Sequence, residues 1–474
     1  MSAPRPAPST ALRRAMWLGL LALAVLAAAA LRHQLVWGES ERMPWLLPLL
    51  NTFEGAGLVG FVVLMAFAWR AALRAAPGCT MRELVRGTWP LLALAVAVPL
   101  IATTDPIDYV VRGRILTVHG QNPYTHVASE FPDDLFVGFG DRGWKSMPLP
   151  YGPLVADLQG VIAWLAHLLP VSPRVELVAA LLLTKLLFAA SLLLSASLLS
   201  RVAERLRPGA RNAAFVAIAW NPLFLFEGVV NAHNEPLLLL LLSVSLVAAT
   251  AHRYAASLFA LGCGVLTKIV PVVLGPALLV QAARQRRLGG LALGAALLLP
   301  LFAASWWQFF RDEGALDFVR RQGELSGGSL WWAVSQVTGI EVPALVTIGR
   351  GVVIASVAWS LWRLWQRPNA ERMVFAFAST LGLLALLGAG LFSAWYHLWW
   401  APFALLLGRG YLYRVALIAS VVTPLAHLLW VTMRRFDEPA QWLGVTVAIV
   451  VPLVGGLLLP RCASPRGARD SAVL

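Results

Sequence analysis

The sequence predicts an all-α, polytopic membrane protein: a bundle of transmembrane helices forming a single integral domain over residues 1–474. Three observations predict it. The chain is 59% hydrophobic and only 13% charged, with a mean hydropathy of +0.71, whereas soluble domains carry roughly a quarter charged residues. Many runs exceed the roughly 18 apolar residues that read as a membrane span. In hydrocarbon, a backbone without water must satisfy its own hydrogen bonds, which runs of this length do as helices.

The net charge of +14 raises nucleic-acid binding as a class. The arginines that produce it sit in short loops between apolar runs, where membrane topology places them. The expected surroundings are therefore a lipid bilayer and no nucleic acid. The three cysteines, Cys79, Cys263 and Cys462, are far apart and match no metal spacing, so they read as free thiols.

The elements follow in order. The first apolar run, residues 15–31, follows Arg13 and Arg14 like a secretory leader. Spans follow it throughout, so it reads as an uncleaved first helix with its N-terminus inside. A second span, 57–69, returns to Arg70, Arg74, Arg82 and Arg86, again inside. A third, 88–102, exits and delivers residues 103–153 to the outer face.

The 154–169 stretch is short and holds Asp157, Gln159 and His167. It is expected to be re-entrant or interfacial, because a full crossing would put the basic 201–211 loop outside. Residues 175–199, 213–230 and 236–249 cross in turn. The 254–281 stretch is interrupted by Lys268 and Pro271 and flanked at both ends by arginines, so it reads as two half-helices that meet near Lys268 with both ends inside. Later spans at 291–305, 346–365, 374–391, 396–407, 415–431 and 443–459 leave the tail inside. The expected total is about twelve crossings plus embedded half-helices. By segment, 1–102 holds three N-terminal spans, 103–153 a first outer loop, 154–410 a helical core and 411–474 the last spans and tail. No inverted repeat is visible, which weighs against a secondary transporter.

Three polar sites fall on one predicted face. The first is the 103–153 segment, beginning Thr103-Thr104-Asp105-Pro106. Asp105 reads equally as a helix N-cap before Pro106, with Asp108 in the favoured first turn. The second runs from Trp220-Asn221-Pro222 through Glu227 to His233-Asn234-Glu235-Pro236. It reads as a capped helix end with a proline restart, but Glu227 lies a turn inside the span, where ionisable groups are usually functional. The third, Trp395-Tyr396-His397-Leu398-Trp399-Trp400, also fits an interfacial aromatic belt, with His397 as a polar partner within it.

These residues carry a resemblance. Asp105, Tyr109 and Gly113-Arg114, then Gly120-Gln121-Asn122-Pro123-Tyr124, then Pro150-Tyr151-Gly152-Pro153, resemble the first outer loop of GT-C membrane glycosyltransferases. The nearest likeness is to bacterial polyprenol-phosphate-mannose-dependent mannosyltransferases, of the glycosyltransferase family 87 kind. Trp220-Asn221-Pro222 with Glu227 and His233-Asn234-Glu235, Leu266-Thr267-Lys268 before Pro271, and the 395–402 segment resemble later motifs of the same family, in order. The chain departs at Arg112, where an acidic residue is usual, at Tyr151-Gly152-Pro153, where Tyr-Pro-Pro is usual, and in having three spans before the first motif.

The resemblance implies an inverting hexosyltransferase of the cell membrane that takes a sugar, mannose in the nearest likeness, from a polyprenyl phosphate. The acceptor would be a hydroxyl of a glycan or glycolipid on the extracytoplasmic face. Asp105 matches the family's loop aspartate and is the expected general base, with Asp108 in reserve. An acceptor alcohol needs such a base within hydrogen-bond reach. Lys268, Arg114, Arg112, Arg320 and Arg321 are the candidate cations for the departing phosphate. Tyr109, Asn122, Tyr124, Tyr151, Glu227, His233, Asn234, Glu235 and His397 are the expected substrate contacts. No cofactor is expected. A divalent ion among Asp105, Glu227, His233 and Glu235 is the alternative. A transporter or flippase of a lipid-linked sugar is the competing function.

Overall fold

A computed structural model describes residues 8–40, 47–140, 143–317, 325–433 and 435–460. Arg320, Arg321 and Cys462 lie outside the described residues. The described chain is all-α, its one β-type contact being an isolated bridge between Gly327 and Leu391. In chain order the helices are α1 (Pro8–Ser40), α2 (Leu47–Ala75), α3 (Met81–Ala97), α4 (Asp105–Thr117), α5 (Leu135–Phe139), α6 (Pro153–His167), α7 (Pro173–Leu206), α8 (Arg211–Ala219), α9 (Pro222–Leu225), α10 (Glu235–Thr250), α11 (Tyr254–Thr267), α12 (Gly275–Arg284) and α13 (Leu288–Ser305), followed by the C-terminal helices.

Among the described residues eight helices are long and apolar enough to cross a bilayer, or nine if the pair 211–219 and 222–230, bent by 44°, is one span. The expected twelve counted further segments that are not long enough by this measure. The difference lies in segments that are apolar yet short. α10 has 16 residues, most of them buried, and α11 has 14, about 21 Å of helix against a hydrocarbon core of roughly 30 Å. Such helices are hydrophobic because protein surrounds them, and hydropathy alone does not separate this from lipid.

The chain divides into two compact units. One comprises Met1–Ala102, Leu192–Val230 and Ser393–Leu474; the other comprises Thr103–Ser191 and Asn231–Phe392. In the first, α1 lies along α2 and reaches α3. The Trp220-Asn221-Pro222 motif is a built break in this unit. Pro222 has no N–H to continue the helix. Asn221 Oδ1 accepts from the Leu223 and Phe224 amides at 3.1 and 3.4 Å, and its Nδ2 donates to Ser420 Oγ at 2.7 Å. Trp220 is fully buried and donates its indole N–H to Thr88 Oγ1 at 2.8 Å. The chain then makes a π-turn, Phe226–Val230.

In the second unit α4 crosses α6 at glycines. A Cβ on Gly113 would stand 2.2 Å from the Gln159 carbonyl oxygen, and one on Gly160 would press on Leu116 and Thr117. α11 and α12 form a hairpin broken at Lys268, as expected. Tyr254 Oη donates to Gln285 Oε1 at 3.0 Å, so the outer ends of the two arms meet, and the tip carries Lys268 and the short 3₁₀ turn Val270–Leu274.

Candidate active site

The second unit gathers most of the polar residues singled out in the sequence. α4 begins at Asp105 itself. Thr104 is the N-cap and makes no side-chain cap bond. The expected capping role of Asp105 is therefore not what its carboxylate does. Thr103 Oγ1 accepts the Asp105 amide at 3.1 Å, and the Asp105 side chain lines a small cleft with Asp108, Tyr109, Arg112, Trp144, Pro150 and Tyr151. The cavity measures about 30 Å³. Positions 105, 108, 109 and 112 recur at the spacing that puts them on one helix face.

Each wall has its own support. His233 is fully buried, and its Nδ1 lies 3.4 Å from Asp105 Oδ2. Tyr109 and Tyr151 bring their hydroxyls to 3.3 Å with their rings edge to face. Tyr151 is held from behind, where the Tyr124 hydroxyl donates to its carbonyl at 2.7 Å. Arg112 is 4% exposed. Its Nη2 donates to the Trp144 carbonyl at 2.9 Å, and its Nη1 has no hydrogen-bond partner among the described residues. Asn234 is 1% exposed, and its Nδ2 likewise has no partner among the described residues. Buried donors in native proteins are nearly always satisfied, which sets these two atoms apart from their neighbours.

Lys268 stands beside this cleft. Its Nζ donates to Glu235 Oε1 at 2.6 Å and lies 5.2 Å from the centre of the Tyr151 ring. The Gly152 amide donates to the Thr267 carbonyl at 2.9 Å, and a Cβ on Gly152 would fall 2.3 Å from the Leu266 carbonyl oxygen. The glycine of Tyr151-Gly152-Pro153 is thus required by close backbone approach to the hairpin tip.

Other predicted residues have different surroundings. Arg114 is paired with Asp134 at 2.9 Å and with Glu176, whose carboxylate also meets His167. His119 binds the same Asp134 at 2.8 Å. Burial opposes the Asp134 charge, but hydrogen bonds from Arg114, His119 and the Phe136 amide outweigh it and hold its pKa below the usual carboxylate range. Asn122 fastens the loop, donating to the Phe309 carbonyl at 2.8 Å and to Asp312 at 3.3 Å. Glu227 and His397 belong to the first unit. There Glu227 Oε1 is hydrogen-bonded to His427 Nε2 at 2.8 Å, and His397 Nε2 donates to the Ala448 carbonyl at 2.7 Å. Among the described residues no three His, Cys, Asp or Glu side chains group as a metal site.

Sequence reasoning missed Trp144 and His427. Trp144 follows a Gly in an irregular loop and carries no motif. His427 acts across the chain, on Glu227, and no local spacing announces such a partner.

The family model of the alpha-(1->6)-mannopyranosyltransferase N-terminal domain matches residues 16–284, more than half of the 474 residues. The chain belongs to this family. The matched stretch includes every wall of the cleft and the Lys268 hairpin. Alpha-(1->6)-mannopyranosyltransferase A of Corynebacterium glutamicum is similar to this chain, 22% identical over 376 residues, which is 76% of this chain and 74% of the relative. Family membership and the apolar helices make the protein an integral membrane glycosyltransferase.

Proposed function

We propose that the protein transfers a mannosyl residue from a polyprenyl phosphate to an acceptor hydroxyl at the extracytoplasmic face of the cell membrane, with inversion and with Asp105 as general base. The observation that carries this reading is the approach of buried His233 to Asp105, in a cleft that Asp105 shares with Arg112, whose Nη1 has no hydrogen-bond partner among the described residues. Both substrates fit that polarity: an alcohol to be deprotonated and an anion to be received.

In the proposed reaction Asp105 takes the acceptor's hydroxyl proton as its oxygen attacks the anomeric carbon. The bond from that carbon to the phosphate oxygen breaks, and the electron pair leaves with the phosphate. His233 fixes the carboxylate from behind, so that it need not reorganise during transfer. The 3.4 Å separation is long for a hydrogen bond, as catalytic contacts often are before substrate binds. Arg112 receives phosphate charge through its available Nη1. Lys268 is shared, since Glu235 neutralises it until a stronger anion competes. An inverting reaction that gives the alpha linkage named in the relative requires a beta-linked donor. Family membership supports transfer over transport.

The test is Asp105→Asn in membranes, scored with labelled polyprenyl-phosphate mannose. Removing a positioned base typically costs about 10²–10⁴-fold in rate, while membrane insertion stays at the wild-type level. Wild-type turnover in that variant overturns the base assignment.

A further inference from the structure

A second charged surface lies in the catalytic unit but away from the cleft. At the C-terminal end of the helix Val342–Gln366, Trp359, Trp362 and Trp365 are 54%, 50% and 51% exposed. They follow one another every three residues, forming a ridge over the last two turns, about 9 Å tall. Trp359 and Trp362 pack with ring centres 4.8 Å apart. The guanidinium of Arg284, at the end of α12, lies 5.0 Å from the Trp365 ring centre, so the turn after α12 is joined to this ridge. That turn adds exposed Arg286 and Arg287, and the helix end adds Arg363 and exposed Arg367. Residues 281–290 and 356–369 contain five arginines and no acidic residue.

We infer that this surface is a binding site for an acidic glycerophospholipid. Exposed tryptophans at the end of a helix long and apolar enough to span favour the boundary between hydrocarbon and headgroups. A soluble anion has no use for the exposed indole ridge, whereas a lipid presents a phosphate and acyl chains together. Arg284 and Arg367 supply planar donor forks matched to a phosphodiester. The guanidinium of Arg284 already stands against an indole at the edge of the ridge. A zwitterionic lipid would bring a cation into the same arginine cluster. The 14 residues of α11 put this end of the hairpin roughly 20 Å from Lys268, so the lipid bound here is not the sugar donor.

The purified protein in detergent is titrated with phosphatidylglycerol, phosphatidylcholine and glycerol 3-phosphate, with bound lipid counted by native mass spectrometry. Phosphatidylglycerol is expected to bind preferentially. The double variant Arg284→Gln, Arg367→Gln is expected to weaken it by roughly 30-fold, two surface arginines' worth, and to leave phosphatidylcholine unchanged. Equal wild-type affinity for the two lipids overturns the inference, and needs no variant. So does an unaltered preference in the double variant, or glycerol 3-phosphate binding as tightly as the lipid. Trp365→Leu is expected to weaken the retention of both lipids while both arginines remain.

Discussion

Replacing Gly113 by alanine sets two effects of similar size against each other. Alanine is favoured over glycine in a helix interior by about 1 kcal/mol, so propensity alone predicts a more stable α4. The structure predicts the reverse. The new Cβ would lie 2.2 Å from the Gln159 oxygen, 2.6 Å from its carbonyl carbon and 3.1 Å from Ala163 Cβ. The first two are backbone atoms and cannot rotate aside. α4 and α6 must part by about 1 Å, and overpacking of this kind costs roughly 1–3 kcal/mol. The functional loss should be larger than the stability loss. α4 starts at Asp105, and Tyr151 stands just before α6, so widening the crossing separates two walls of the cleft. A misplacement of about 1 Å can cost on the order of 10²-fold. The assay is mannosyl transfer in membranes at matched expression, with melting in detergent alongside. Gly138→Ala is the control, because nothing lies within 4 Å of its added Cβ. If Gly113→Ala is as active as that control, the α4–α6 spacing does not set the cleft, and the reasoning fails.

Lys268→Ala is expected to raise the KM for the lipid donor more than that for the acceptor, and to destabilise the fold by up to roughly 3–5 kcal/mol, because it strands the buried Glu235 charge. Adding Glu235→Gln should restore the melting temperature without restoring donor use; equal effects on donor and acceptor refute the phosphate role. The Asp134 carboxylate has a lowered folded pKa, so its stabilisation is present above the unfolded carboxylate range near pH ~3.9 and is lost as pH falls through the folded value. A melting-temperature profile from neutral to acid pH should therefore fall at the acid end, less steeply in Asp134→Asn; parallel profiles exclude Asp134 as a contributor.

The organising segment was legible because lipid makes polarity expensive, so a stretch as polar as residues 103–153 stands out at once. The hairpin at Lys268 was legible for the same reason, through a lysine and a proline inside an apolar run. Pairings were not. Lys268 reads as an available cation until Glu235, 33 residues away, is found on it. Arg114 has the sequence context of a phosphate ligand, yet Asp134 and Glu176 hold it. Asn122 has a motif position but fastens one loop to another. Glu227 was expected at the substrate site, and its carboxylate is hydrogen-bonded to His427, 200 residues on and within the first unit. The expected twelve crossings counted leucine-rich helices such as α10, which is shorter than a span and largely surrounded by protein.

The backbone bond from Gly152 to Thr267 has a kinetic consequence. It joins the segment that carries Tyr151 to the tip that carries Lys268, with no flexible side chain between them. Under the proposed reaction, a donor that draws Lys268 away from Glu235 also pulls on the wall against which the acceptor rests. In that reaction the two substrates do not bind independently: each alters the other's affinity, and so how fast the other leaves.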